Sequence, residues 1–243
     1  MESTILLFFP AKTTDFSIFR LGMINVLQFF KKYFFLILPV IYGILYLCGF
    51  AYVETHVTTD FHLVHMKIDD YIPFCKYFII PYMLWFFYVA ATILLFACLT
   101  RSDYYKLLLM LGTGMTLFLI ISYVYPNGHM LRPKQLTEVD LFTKLIKNLY
   151  QTDTPTNLFP SIHCYNSLCC HFAINRSKQL KDKKWLQFGS FILCISIILS
   201  TLFIKQHSMF DVITAFCLFA PMYLVVYKLK HTNISAFTSE ELS

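Results

Sequence analysis

The sequence predicts an all-α fold: a polytopic membrane helical bundle of about six transmembrane helices, with interfacial amphipathic helices beside it. Three observations predict it. Of 243 residues, 57% are hydrophobic and only 14% are charged, whereas a soluble domain carries roughly a quarter charged residues. Mean hydropathy is +0.59. Apolar runs of spanning length recur along the chain, with short polar segments between them.

Taken in order, residues 1–32 form an N-terminal segment, residues 33–228 the membrane domain, and residues 229–243 a tail. The short run Ile5 to Phe9, with no basic residue before it, is not expected to be a cleaved leader. Polar residues at Ser17, Arg20, Asn25, Gln28 and Lys31 recur near helical period, which predicts an amphipathic helix in the interface. The first span begins at Tyr33 and ends before Glu54. The second runs from Tyr77 to Cys98 and the third from Leu107 to Val124. A shorter fourth runs from Phe159 to Ile174, then Trp185 to Ile204 and Ser208 to Tyr227 complete the set. Between the third and fourth, Val139, Phe142, Leu145, Ile146 and Leu149 make an apolar stripe, with Thr137 and Asp140 as its caps.

Charge orients these spans. The net charge of +6 is carried by alternate loops, so it argues for the positive-inside rule and against nucleic acid as a partner. Lys31, Lys32, Arg101, Lys106, the Arg176 to Lys184 loop, Lys228 and Lys230 make one side, placing both termini in the cytoplasm. The loops at 54–76, 125–157 and 205–207 then face outward. The eight cysteines include no CxxC pair and mostly fall in apolar runs, so they read as packing residues. His56, His62 and His65 read as solvated loop residues, and His171 and Asn166 as polar contacts between helices.

Three outward segments hold residues suited to chemistry. His207 and Asp211 are four apart at a helix start, hence on one face. A carboxylate there can fix the imidazole tautomer and leave the other nitrogen as base or nucleophile. Lys205 adds positive charge beside them. In the second segment, Pro160 and Ser161 mark a helix start, whose free N–H groups form an anion site. His163 in that turn can give a proton to a leaving group. Arg132, before Pro133, offers a planar fork for phosphate. Together they suit phosphoryl transfer without a required metal.

These segments resemble the three motifs of the type-2 phosphatidic acid phosphatase superfamily, which includes lipid phosphatases and vanadium haloperoxidases. Its patterns are K-x6-R-P, P-S-G-H and S-R-x5-H-x3-D. Arg132-Pro133, Pro160-Ser161-x-His163 and Ser200-x6-His207-x3-Asp211 match them, and the likeness covers roughly residues 70–227. Tyr125, Ile162 and Thr201 stand where the patterns have Lys, Gly and Arg. With Phe159, and with Ile72-Pro73-Phe74, Pro81-Tyr82 and Trp85, the variant is similar to the inositol phosphorylceramide synthase branch and its bacterial relatives.

The resemblance implies that His207 is a nucleophile that becomes a phosphohistidine, oriented by Asp211. It implies that His163 protonates the departing alkoxide, while Arg132 and Ser161 hold phosphate oxygens. Lys205 is added as a third phosphate ligand from its position alone. The expected activity is hydrolysis of a lipid phosphate monoester or pyrophosphate at the extracytoplasmic face of the cell membrane, or a lumenal face, with no cofactor and no metal. Two alternatives share these residues: a lipid phosphotransferase that passes the head group to an alcohol, and a non-enzymatic lipid transporter or scramblase.

Overall fold

In a computed structural model the described residues are 13–56 and 60–228, with side chains from residue 34 onward. The tail expected at 229–243 lies outside them, as does the polar face expected over residues 16–32. Helix α1 runs unbroken over Thr13–His56. The N-terminal helix and first span expected as separate elements are therefore one continuous backbone helix. Pro39 lies within it. The chain divides into two compact units, 1–43 and 44–243. In its described part the first is α1 backbone, apolar from Phe34 onward.

The second unit holds the rest. Helices α2 (Ile79–Leu99) and α3 (Arg101–Val124) are joined at Thr100, and α3 starts six residues before the expected Leu107. Then follow α4 (Leu141–Thr152), α5 (Ile162–Arg176), α6 (Lys184–Phe203) and α7 (Met209–Tyr223). A π turn over Leu224–Lys228 extends α7, just after Pro221, which has no N–H to give the helix ladder. Among the described residues five helices are long and apolar enough to cross a membrane: α1, α2, α3, α6 and α7.

The sixth expected span, α5, is different. Its 15 residues reach about 22 Å, short of a hydrocarbon core of roughly 30 Å. Every side chain from Ile162 to Cys170 is buried, against α2, α3, α6 and α7. A helix enclosed by protein need not be lipid-compatible, so α5 can carry His163, Asn166, Ser167 and His171. Packing is close: a Cβ on Gly114 of α3 would collide with the Tyr165 ring, whose hydroxyl donates to the Met110 carbonyl at 2.9 Å. Lower down, His171 Nδ1 and the Ser190 hydroxyl of α6 are 3.1 Å apart, a polar contact between helices as the sequence predicts for His171.

Three loops make a platform at the end of the bundle where α5 and α7 begin. Strands β1 (His62–Leu63) and β2 (Asn127–Gly128) pair in parallel. The Asn127 carboxamide oxygen accepts from the N–H groups of Leu158 and Phe159, at 2.8 and 3.1 Å, and so holds the approach to α5. Amphipathic α4 lies across this end, capped by Asp140, whose carboxylate accepts from the Thr143 N–H at 3.0 Å. Ile146 of α4 is buried with Ile79, Tyr82 and Ile204. Lys76 pairs with Glu138 and Asp140, which pulls the Asp140 carboxyl down to about 2.

Candidate active site

The site grows from the turn between α6 and α7. The N–H groups of Gln206 and His207 both donate to the Thr201 carbonyl, at 2.9 and 3.0 Å. Lys205 takes the left-handed backbone (φ 54°) that reverses the chain. Ser208 in extended conformation caps α7, and the Asp211 Oδ2 accepts the Ser208 N–H at 2.8 Å. The same oxygen lies 3.3 Å from His207 Nδ1. Because Oδ2 is an acceptor, Nδ1 is the protonated nitrogen, and Nε2 keeps its lone pair. Nε2 faces His163 Nδ1 at 3.5 Å.

His163 reaches that position from the first turn of α5. Ser161 is the cap, its hydroxyl accepting from the Cys164 N–H at 3.4 Å. The Ser161 N–H donates to the Asp211 carbonyl at 3.2 Å, tying the starts of α5 and α7 together. The His163 ring lies between Tyr82 (centroids 4.6 Å apart) and Trp85 (4.3 Å). Both imidazoles are buried, at 8% and 6% exposure, so charge in the site is little screened by water.

Arg132 enters through a second network. Its guanidinium lies over the Tyr150 ring at 4.3 Å and donates to the carbonyls of Tyr150 and Asp153, at 3.2 and 2.7 Å. It also donates to the Gln206 side-chain oxygen. The Gln206 amide nitrogen donates to Asp153 Oδ2 at 2.8 Å, and the Tyr82 hydroxyl donates to that oxygen at 3.1 Å. Burial raises the Asp153 carboxyl, against the lowering effect of His207 and Arg132. Burial likewise lowers the Arg132 pKa, opposed by Asp153. Among the described residues Arg132 Nε has no partner, nor has Asp211 Oδ1.

His129 belongs to this network without a free nitrogen. Its Nδ1 accepts from the Leu131 N–H at 3.2 Å, so Nε2 carries the proton and donates to the Gln206 carbonyl at 2.9 Å. Burial brings its pKa down to about 4.

Residues 130–235 match the family model described as the PAP2 superfamily. That segment belongs to the PAP2 superfamily. Arg132, Ser161, His163, Lys205, His207 and Asp211 all fall inside the matched range. The match is to the superfamily and does not single out the inositol phosphorylceramide synthase branch. PAP2 superfamily members are generally phosphatases or phosphotransferases. No curated protein and no solved structure matches the chain.

Within the PAP2 segment the structure brings His207, His163, Asp211 and Ser161 into one contact chain, and links Arg132 to it through Gln206. It holds Lys205 by one of its donors. The ammonium donates to the Asp69 carbonyl at 2.8 Å, and burial lowers its pKa while Asp69 and Asp70 raise it. An ammonium has three donors, so this contact leaves two. Thr201 and Tyr125, at two of the departures from the motifs, act structurally: Thr201 through its carbonyl, Tyr125 by stacking on His62 at 4.1 Å.

Sequence reasoning missed Asp69, Asn127, Asp153 and Gln206 as parts of the site. Asp69 lies in a one-turn 3-10 helix, Asn127 in the two-residue strand β2, Asp153 just after α4 and Gln206 in the α6–α7 turn, all too short to show a periodicity, and Asp69 reads as one of several acids in an outer loop. Tyr82 and Trp85 enter the sequence reading only through the resemblance, although they form an i, i+3 aromatic pair on one helix face. Among the described residues no three His, Cys, Asp or Glu side chains gather as a metal-binding group.

Proposed function

We propose that the protein is an integral membrane phosphatase that hydrolyses a lipid phosphate monoester or pyrophosphate through a phosphohistidine at His207. The observation that carries this is the linear order Asp211 Oδ2, His207 Nδ1, His207 Nε2, His163 Nδ1, at 3.3 and 3.5 Å. His207 Nε2 attacks phosphorus, and a P–N bond forms as the P–O bond to the lipid alcohol breaks. Burial and the neighbouring His207 lower the His163 pKa, so His163 takes up a proton as the phosphate dianion binds beside it and then, as the imidazolium, gives that proton to the departing oxygen. Water then passes a proton to His163 and attacks phosphorus, the P–N bond breaks, and inorganic phosphate leaves.

At 3.5 Å the two ring nitrogens face each other with no room for an atom between them, so the phosphoryl group enters only as the rings part. The α5 N-terminus with Ser161, and the unpaired Arg132 Nε–H, are the donors proposed for the phosphoryl oxygens. Lys205 can add one of its two remaining donors. These fixed positive groups take the part a divalent ion has in other phosphatases, so activity is expected to survive EDTA.

Burial of both imidazoles favours a second reading of the same first step, in which an alcohol replaces water in the second. The test is turnover by purified protein in vesicles of diacyl, prenyl and sphingoid phosphates, with and without alcohol acceptors. Phosphate release that is lost in His207→Ala supports the phosphatase. Product only with an acceptor supports transfer, and lipid movement without either, unchanged in His207→Ala, supports a transporter.

The site is proposed to face outward, because the basic loop from Arg176 to Lys184 lies at the far ends of α5 and α6 from His163 and His207. Met130→Cys and Gln179→Cys are exposed sites at the two ends. In a cysteine-free background an impermeant maleimide should label only Met130→Cys in intact cells. The opposite pattern would move the substrate to the inner leaflet.

A further inference from the structure

Asp69 lies outside the matched family segment, in a one-turn 3-10 helix over Lys67–Asp70 of the first outward loop. Its side chain is 1% exposed. A carboxylate removed from water is stable only when its oxygens are occupied. They are: Oδ1 accepts the Met209 N–H at 2.7 Å, and Oδ2 accepts the Ser208 hydroxyl at 2.6 Å and the Met66 N–H at 2.8 Å. Its carbonyl also accepts the Lys205 ammonium at 2.8 Å.

These contacts bracket the nucleophile proposed above. Lys205 is two residues before His207, and Ser208 and Met209 are the two after it. Lys205 also holds a left-handed backbone at φ 54°, an unusual conformation for a residue with a Cβ, which must be imposed by its surroundings. The Asp211 carboxylate orients the imidazole from within the same helix, and its carbonyl ties α7 to α5 by one bond from the Ser161 N–H. Asp69 holds the turn from a different part of the chain and meets the first N–H of α7 directly. It also supplies negative charge at the positive end of the helix, a place otherwise open to an anion. The α7 start is thereby occupied by protein, and the α5 start at Ser161 is left for phosphate.

We infer that Asp69 is a positioning residue for phosphoryl transfer: it locks the Lys205–Met209 turn so that His207 Nε2 points at the phosphoryl site. The inference rests on the proposed role of His207. A displacement of about 1 Å at a reacting atom costs on the order of a hundredfold in rate. Asp69→Asn replaces one acceptor with an amide that faces N–H donors, and so loosens the turn without changing its volume.

The test compares kcat and KM for lipid phosphate hydrolysis in wild type, His207→Ala, Asp69→Asn, Met209→Pro and Asp70→Asn. Met209→Pro removes one donor to Asp69 at the first position of α7. Proline is well tolerated there, and Ser208 before it is already extended (φ −81°, ψ 159°). Expected is a fall in kcat of about a hundredfold for Asp69→Asn and about tenfold for Met209→Pro, with KM within about twofold in both. Asp70→Asn, whose partner is the exposed His65, should match wild type. A KM rise at unchanged kcat, or wild-type kinetics in folded Asp69→Asn and Met209→Pro, would overturn the positioning role. Full activity in His207→Ala would instead remove the reading beneath it, whatever Asp69 does. If Asp69→Asn does not fold, Met209→Pro decides alone.

Discussion

His65 and His207 each have an aspartate a few residues further on, and the pair with the shorter contact is the exposed one. His65 Nε2 lies 2.8 Å from Asp70 Oδ1, with side chains 40% and 62% exposed. His207 Nδ1 lies 3.3 Å from Asp211 Oδ2, at 6% and 0%. Distance therefore does not distinguish them; surroundings do. Around His65 water screens the pair, leaving it worth about 0–1 kcal/mol. Around His207 the carboxylate is also fixed by the Ser208 N–H, and the second ring nitrogen faces His163. A third ring, His129, shows the other limit. It is buried, yet both nitrogens are taken by backbone partners, so it has nothing to offer a substrate.

The largest expected effect breaks this comparison most sharply. Asp211→Asn should lower lipid phosphate turnover by about a thousandfold or more, because the amide no longer fixes the ring tautomer. Asp70→Asn and His65→Ala should leave it within twofold or so, since exposed pairs contribute little. Parallel rate measurements on the three variants check this. Equal losses would mean that burial is not what separates the two pairs.

A middle-sized effect is expected at Arg132. Lysine cannot reach the Tyr150 and Asp153 carbonyls and the Gln206 side chain together while presenting a planar donor edge. Arg132→Lys should therefore reduce kcat/KM by about a hundredfold, a loss typical of one charge-stabilising donor. Arg132→Lys at wild-type kcat/KM would show that charge alone suffices.

The smallest effect concerns His129 and appears in stability rather than rate. Its pKa is about 4 in the fold against an ordinary 6.5, so the unfolded chain binds the extra proton between those values. Its contribution is then fully present above pH 6.5 and is lost as pH falls toward 4, on the order of 3 kcal/mol when complete. Thermal unfolding in detergent should show a shallower pH dependence over that window in His129→Gln than in wild type. An unchanged slope would place the titration elsewhere.

Much of this is legible in the sequence alone. Helical runs of apolar residues give four spans close to their observed bounds, since lipid imposes both length and composition. Helix α5 was harder. Its polar residues face protein, so hydropathy understates its place in the bundle, and its expected start at Phe159 moved to Ile162 at the Ser161 cap. The His207–Asp211 pair was readable because i, i+4 spacing on a helix is local geometry. Asp69 was not. Its partners are 139 and 140 residues away in sequence, and nothing periodic links a one-turn loop helix to the start of α7. The same holds for Gln206 and Asp153, whose meeting with Arg132 depends on how three loops close over one end of the bundle.

The central claim is that His207 carries the phosphoryl group, and the most direct measurement is to trap it. Protein turning over a radiolabelled lipid phosphate would be quenched in alkali, digested and mapped. The account predicts acid-labile label on the peptide containing His207, absent from His207→Ala and normal in His65→Ala. Product formation with no label, or label on any other residue, would contradict it.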